Sequence, residues 1–173
     1  FGTDTAKQVE TALEMFKKKN IQTLVIDLRD NGGGYLTAAT DILDLFFTSD
    51  EVIYQMKEKN SAAKKYYAES DKKYEFENGY ILVNENTASA SELTAGALQS
   101  EKGYQLIGKT TYGKGSAQTQ KTLSDGSVLK YTYAKWMIPN GTCINGKGLT
   151  PDEEVDNVSL SGITTKDVKE KLL

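Results

Sequence analysis

Three turns in this sequence carry residues that could do chemistry, and the first is rich in glycine. Asn31 is followed by Gly32, Gly33 and Gly34, directly after a short apolar segment. Consecutive glycines can leave backbone N–H groups pointing into a cleft, as an anion or oxyanion site requires. The same glycines also fit a tight turn without any function. Phosphate binding is disfavoured, because the turn has neither the G-x-G-x-x-G spacing nor that of a P-loop.

The second turn places a serine at the predicted start of a helix. Ser89 is followed three residues later by Glu92, which is the pattern of a helix capping box. A serine at a helix N-terminus also lies where the helix dipole and free N–H groups favour a developing negative charge. Its neighbours Ala88 and Ala90 are small enough to leave room for a substrate backbone. The turn therefore fits a helix cap, a reactive serine, or both.

The third turn holds Lys114 between Gly113 and Gly115. A lysine is a general base only when it is neutral, and burial against apolar groups is one way to disfavour its charged form. Without such burial the residue is an ordinary turn lysine at the surface. The sequence leaves both interpretations open.

The sequence contains no histidine and only one cysteine, Cys143. Ser-His-Asp and Cys-His triads are therefore impossible within this chain, and so are zinc sites of the Cys/His type. The acidic run Asp152-Glu153-Glu154 lacks the spacing of an EF-hand loop. We expect no metal and no cofactor, and a hydrolase of this composition must take its base from Lys, Glu, Asp or Tyr.

Length and charge limit the class of protein. The 173 residues suit a single domain, predicted over residues 1–173, and 38% hydrophobic residues are enough for a core. A net charge of −3 shows no basic surplus, which argues against nucleic-acid binding. No apolar run approaches the ~20 residues of a membrane span, and residues 1–5 lack the basic and apolar regions of a signal peptide.

Hydrophobic periodicity predicts the elements that must position these turns. Helices are expected over residues 4–19, 36–47 and 89–99, and strands over 23–28, 51–56, 80–83 and 104–107. The strand at 23–28 is a continuous apolar run, typical of a strand buried on both faces, as is the one at 80–83. Residues 57–73 are polar and predict an excursion on the surface. This order predicts an α/β domain with a largely parallel sheet, whose strands carry the first two turns at their carboxyl ends.

The C-terminal part of the chain has a different pattern. Residues 118–123 and 128–135 flank Ser124-Asp125-Gly126 and predict a β-hairpin. A segment rich in glycine, proline and asparagine follows at 139–152, and a last helix is expected at 165–172.

Four separated motifs resemble, in order and spacing, those of the C-terminal processing peptidases, also called tail-specific proteases. They lie at residues 27–34, 87–92 and 112–118, and in a closing stretch at 123–127, 139–141 and 146–152. The resemblance covers most of the chain, from about Phe1 to Val155. The sequence differs from the family pattern at Gly32, where proline is common. It also differs at Trp136-Met137-Ile138, which replaces a more usual aromatic pair.

The resemblance implies a crotonase/ClpP-like α/β core and a serine endopeptidase with a Ser-Lys mechanism. It makes Ser89 the nucleophile, Lys114 the general base and Gln118 the residue that orients the base. It also implies an oxyanion hole of backbone N–H groups, located at Gly33, Gly34 and Ala90. Members of this family cut polypeptides near their C-termini and act outside the cytoplasm, in the bacterial cell envelope or in comparable compartments.

Family members also carry a PDZ module that recognises the substrate tail. No PDZ-like segment is visible here, and the strand that usually precedes the position of Phe1 is missing. The resemblance therefore implies a catalytic core from a longer protein, with polypeptides as substrates and with the PDZ and N-terminal regions as partners. A membrane anchor and a homo-oligomer are further expectations for that longer protein.

Two other functions stay open from the sequence. A catalytically inactive peptide-binding or scaffolding domain can use the same fold, because fold does not fix function. An acyl-CoA-handling enzyme of the crotonase type would explain the glycine turn but leaves Ser89 and Lys114 without a role. The presence of Ser89, Lys114 and Gln118 together favours the peptidase.

Overall fold

The computed structural model describes residues 1–71 and 74–156. Its helices and strands follow one another as α1 (Thr5–Lys18), β1 (Thr23–Asp27), α2 (Leu36–Leu43), β2 (Val52–Glu58), β3 (Lys64–Tyr67), β4 (Asn78–Val83), α3 (Ala90–Lys102), β5 (Gln105–Gly108), β6 (Ser116–Thr122), β7 (Val128–Met137) and β8 (Glu153–Glu154). The predicted helix at 165–172 lies outside the described residues. Among the helices in the described ranges, none is both long and apolar enough to span a bilayer.

Four strands form a parallel sheet in the order β1-β4-β5-β8. Val25 of β1 lies opposite Tyr80 of β4, and Leu82 of β4 lies opposite Ile107 of β5. Because these strands run the same way, the turns that follow β1, β4 and β5 lie at one edge of the sheet. The predicted α/β class with a parallel sheet is confirmed, and this edge carries all three turns identified in the sequence.

The other four strands form an antiparallel sheet in the order β3-β2-β7-β6. The predicted hairpin is confirmed as β6 and β7, and the Leu123 N–H closes it by donating to the Ser127 carbonyl at 2.8 Å. The strand predicted at 51–56 is confirmed as β2, but it does not join the largely parallel sheet that the order of elements predicts. It pairs with β7 instead, which places Met56 opposite Trp136. Both side chains are buried, so apolar packing on β7 favours this pairing.

Residues 57–73 are not simply the surface excursion that their polar composition predicts. Strand β3 lies within them and pairs with β2. Tyr66 of β3 stacks on Tyr54 of β2 with ring centroids 4.4 Å apart, and Ala68 is buried. Among the described residues of this segment, only Tyr66 and Ala68 belong to the core or pack against it, which is why its composition is mostly polar.

Two further predictions need correction. Strand β1 is not buried on both faces: it is the outer strand of the parallel sheet as described, and Val25 is 42% exposed. Helix α2 ends at Leu43 rather than at residue 47. The turns that follow it bury three more apolar side chains, Leu45, Phe46 and Phe47. These residues extend the apolar pattern beyond the helix and make it look longer in the sequence.

Helix α3 lies in the core and contacts both sheets. Every residue from Ala90 to Leu98 is buried, and the helix packs against β5 of the parallel sheet and β2 of the antiparallel sheet. Gly96 allows a close approach, since a Cβ atom there would lie 2.5 Å from the Ile138 side chain. A helix enclosed on all sides cannot shift without disturbing the core. Its first residues, which follow Ser89, therefore have a fixed position.

Candidate active site

Ser89 occupies a strained turn between β4 and α3. Its backbone has φ 60° and ψ −121°, a combination that non-glycine residues rarely adopt. Strain of this kind costs roughly 1–3 kcal/mol, persists only where the surroundings fix the backbone, and is common at active sites. The Ala88 N–H donates to the Asn31 carbonyl at 3.1 Å. The Thr87 hydroxyl donates to the Leu28 carbonyl at 2.8 Å. The turn after β1 thus holds the serine turn in place.

The carboxylate of Glu92 joins the serine turn to the lysine loop. Glu92 is fully buried. Its Oε2 accepts the Ser89 N–H and the Lys114 N–H, both at 2.8 Å. Its Oε1 accepts the Gly113 N–H at 2.7 Å and the Thr111 hydroxyl at 2.5 Å. The backbone nitrogens of the predicted nucleophile and the predicted base therefore share one oxygen atom.

The side chains of Lys114 and Gln118 are exposed. The Gln118 Nε2 donates to the Thr132 Oγ1 at 3.4 Å. Within the described residues no hydrogen bond joins Gln118 to Lys114, and no other protein group pairs with the lysine ammonium. The structure thus brings the Lys114 backbone to Ser89 but does not bury the lysine side chain as a neutral base requires.

The glycine turn packs directly against Ser89. Gly33 has φ 95°, and a Cβ atom there would lie 2.9 Å from the Ala90 nitrogen and 3.0 Å from the Ser89 Cβ. The Gly33 N–H donates to the Asn31 Oδ1 at 3.0 Å. Among the described residues the Gly34 N–H has no partner. The Ala90 N–H belongs to the first turn of α3, where no intrahelical acceptor exists. Of the predicted oxyanion donors, only the Gly33 N–H is thus already bonded.

A second Gly-Lys-Gly loop supports the first. The Gly146 N–H donates to the Gly113 carbonyl at 2.8 Å. A Cβ atom on Gly113 would lie 2.7 Å from the Gly148 nitrogen. Lys147, between these two supporting glycines, is exposed. The backbone of the Lys114 loop is therefore fixed on two sides, by Glu92 and by this second loop.

Charged and amide side chains link the turns that follow β1 and β4. Asn84 and Asn86 each donate from Nδ2 to the Asp30 Oδ1, at 2.9 and 2.8 Å. These two bonds hold the pKa of Asp30 below its ordinary value, and the bond from Asn86 has the larger effect. Arg29 binds Asp27 through two bonds of 2.9 and 2.6 Å, which lower the pKa of Asp27. The loop beside Ser89 is thus fixed by side chains as well as by its backbone.

Sequence reasoning missed two roles in this site. Glu92 was identified as a helix cap, but its bonds to the Lys114 loop depend on contacts between residues 21 and 22 positions apart. Asn31 was identified only as part of the glycine turn, and its side chain holds the Gly33 N–H. In the described part of the chain, no group of three or more Cys, Asp or Glu side chains lies close enough to hold a metal ion.

Comparison with known proteins identifies the family. Residues 1–155 match the profile of peptidase family S41. The chain belongs to peptidase family S41. The carboxy-terminal processing protease CtpB of Bacillus subtilis (strain 168) is 39% identical over 151 residues, which are 87% of this chain and 31% of that protein. A probable CtpA-like serine protease of Staphylococcus haemolyticus (strain JCSC1435) is 35% identical over 166 residues, 95% of this chain and 33% of that protein.

The fold of this S41 chain also matches a solved structure from the family. The photosystem II D1 C-terminal processing protease superposes with a TM-score of 0.80 at 32% identity, over 90% of this chain and 40% of that one. The predicted membership of the C-terminal processing peptidases, a family of serine-type peptidases, is confirmed. The chain spans about a third of the length of the curated relatives it matches.

Proposed function

We propose that this chain is the catalytic core of a serine endopeptidase that cleaves polypeptides near their C-termini. The observation that carries the proposal is the strained Ser89, which begins a buried helix and shares the Glu92 carboxylate with the loop of Lys114. A simple helix cap does not require positive φ, and a simple turn lysine does not require this shared carboxylate. Membership of family S41 and relatives named as processing proteases support the same activity.

The proposed mechanism is an acyl transfer with a serine nucleophile and a lysine base. Neutral Lys114 takes the proton of the Ser89 hydroxyl, and the serine oxygen attacks the carbonyl carbon of the scissile peptide. The oxyanion accepts one hydrogen bond from the Ala90 N–H and a second from the glycine turn. The second donor is the Gly34 N–H, or the Gly33 N–H after its bond to the Asn31 Oδ1 breaks. Lys114 then gives its proton to the leaving amine. Water hydrolyses the acyl-enzyme and restores Ser89.

In the proposed active form two side chains change position. Lys114 reaches Ser89 and is shielded from water, and Gln118 turns from Thr132 towards Lys114 to orient it. Both side chains are exposed, so neither movement disturbs the core. We propose that PDZ and N-terminal regions of a longer protein cover Lys114 when they deliver a substrate.

The location of the longer protein is a separate proposal. We place it outside the cytoplasm, in the bacterial cell envelope or secreted, with a membrane anchor and a homo-oligomeric state as further expectations. Cell fractionation against a cytoplasmic marker tests the location. Recovery of the protein with that marker alone would contradict it.

Cleavage of an unstructured polypeptide by the natural full-length protein tests the proposed activity. Ser89→Ala and Lys114→Ala are each expected to lower the rate by roughly 10³-fold or more without loss of the fold, since each removes a group that acts in the transition state. Ser91→Ala and Lys147→Ala are matched controls and should keep the normal rate. Ser91 is the next serine, with a buried hydroxyl that lacks a hydrogen bond, and Lys147 also lies between two glycines. Full activity in the Ser89 or Lys114 variant would refute the mechanism.

The second candidate function is peptide binding without catalysis. The exposed side chain of Lys114 and the bond from Gln118 to Thr132 favour it, because neither side chain is in a catalytic position. In that case the wild-type protein and all four variants would bind an unstructured peptide, and none would cleave it.

A further inference from the structure

Strand β6 leaves one edge of the antiparallel sheet open. The strand has β7 on one side, and no described strand pairs with its other side. An open edge presents N–H and C=O groups that can pair with another extended chain, and proteins usually protect it with proline, charges or bulges. Strand β6 has no proline and one charged residue, Lys121, and its one bulge lies at the start, between Ala117 and Gln118. Most of this edge is therefore unprotected.

The register of the hairpin shows which backbone groups point outwards. Leu123 and Ser127 form a hydrogen-bonded pair at the turn. Bonded and non-bonded pairs alternate along an antiparallel ladder. Gln120 lies opposite Lys130 and Thr122 opposite Val128, so both belong to non-bonded pairs. The N–H and C=O groups of Gln120 and Thr122, and by the same alternation those of Gln118, thus face away from β7.

This open edge begins at the candidate active site. Ser116, the first residue of β6, follows Lys114 by two positions. The Lys114 N–H shares the Glu92 Oε2 with the Ser89 N–H, so the first end of the edge is held beside the serine turn. Because β6 begins beside the site, a peptide paired with it runs along the sheet from the site outwards. Such an extended chain rises about 3.3 Å per residue.

An apolar strip lies beside the same edge. Leu129 and Tyr131 of β7 are 49% and 42% exposed. They lie opposite Lys121 and Thr119 of β6, so their side chains share one face of the hairpin with those residues. Every other side chain of a peptide added to β6 would point to this face. The strip therefore offers apolar contact to those side chains.

We propose that the polypeptide substrate docks as an added strand on the free edge of β6, with its scissile bond towards Ser89. This inference rests on the proposed function for its substrate class. Main-chain hydrogen bonds to Gln118, Gln120 and Thr122 provide affinity that does not depend on side-chain identity. An unstructured segment has free backbone groups along its whole length, whereas a folded protein has them mainly at open strand edges, so the edge favours unfolded polypeptide over folded protein.

Peptide affinity tests the docking independently of catalysis. It is measured in the natural full-length protein with the Ser89→Ala substitution, using an unstructured peptide with an amidated C-terminus. Gln120→Pro removes one outward N–H and leaves the bonds to β7 in place, so affinity should fall roughly threefold to tenfold. Ser124→Pro is the control: it lies at the second position of the turn, which favours proline, and it removes no edge donor. Equal affinity of the two variants would overturn the proposal.

A peptide series keeps the test decisive if Gln120→Pro does not fold. Peptides with a single N-methylated amide at successive positions are bound to the Ser89→Ala protein. Affinity should fall at every second position, because alternate amides of an added strand face β6. A loss of affinity without this alternation would overturn the docking. So would the finding that β6 joins two copies of the protein in a dimer that dissociates in the Gln120→Pro variant. If the peptides bind with the expected alternation but the protein with Ser89 intact cleaves none, the docking holds and the proposed function fails.

Discussion

Glu92→Gln tests the link between the two halves of the site. Glutamine keeps the shape of glutamate but replaces one carboxylate oxygen by an NH₂ donor. Each oxygen of Glu92 accepts two hydrogen bonds, so two of the four donors lose their acceptor whichever oxygen is replaced. A hydrogen bond to a charged group contributes roughly 1.5–3 kcal/mol, and an unsatisfied buried donor costs about 1–3 kcal/mol. We expect the free energy of unfolding to fall by roughly 3–5 kcal/mol.

Urea denaturation measures this loss, and the labelling of Ser89 by a fluorophosphonate measures the effect on the site. Labelling should slow at least tenfold, because the serine turn and the lysine loop lose their common acceptor. Glu101→Gln is the matched control, since Glu101 is an exposed residue of the same helix. A stability loss below about 1 kcal/mol in Glu92→Gln, similar to that of the control, would refute the reasoning.

Three other predictions concern the turn and the pH limits of the fold. Gly33→Ala should abolish Ser89 labelling, because its Cβ meets the serine turn, whereas Gly32→Ala has open space and should label normally. Burial raises the pKa of Tyr54 to about 12, so between pH 10 and 12 the unfolded chain loses this proton more readily than the folded one and the free energy of unfolding falls. Tyr54→Phe removes this group and should reduce alkaline unfolding in a pH titration. The bonds from Arg29 lower the pKa of Asp27 below 3.8, so the stability they give is present above that pH and lost below it. Asp27→Asn should therefore flatten the acid side of the melting-temperature profile; an unchanged acid slope would contradict this.

The sequence allowed the three turns and their positions to be predicted because they follow short apolar segments with clear local patterns. Strands β1, β4 and β5 need only local information, and their parallel order brings the turns to one edge. The antiparallel sheet could not be predicted in the same way. The pairing of Gln55 with Met137 joins distant parts of the chain, and nothing in the pattern of β2 alone distinguishes the two sheets.

The chemistry of the site was predicted in part. Residue types and spacing identified Ser89 and Lys114. The burial and orientation of their side chains depend on neighbours in the fold that the sequence does not locate. Val25 belongs to an apolar run yet lies on an outer strand, and Lys114 is exposed despite its place between two fixed glycines. Three of the four bonds of Glu92, those from Thr111, Gly113 and Lys114, depend on tertiary contacts of the same kind.

The most direct test of the central claim is the site and rate of fluorophosphonate labelling in the natural full-length protein. Mass spectrometry should find the label on Ser89, and Lys114→Ala should slow labelling far more than Lys147→Ala does. These results would establish Ser89 as a nucleophile activated by Lys114. A label on another serine, or equal labelling rates in the two lysine variants, would contradict the account.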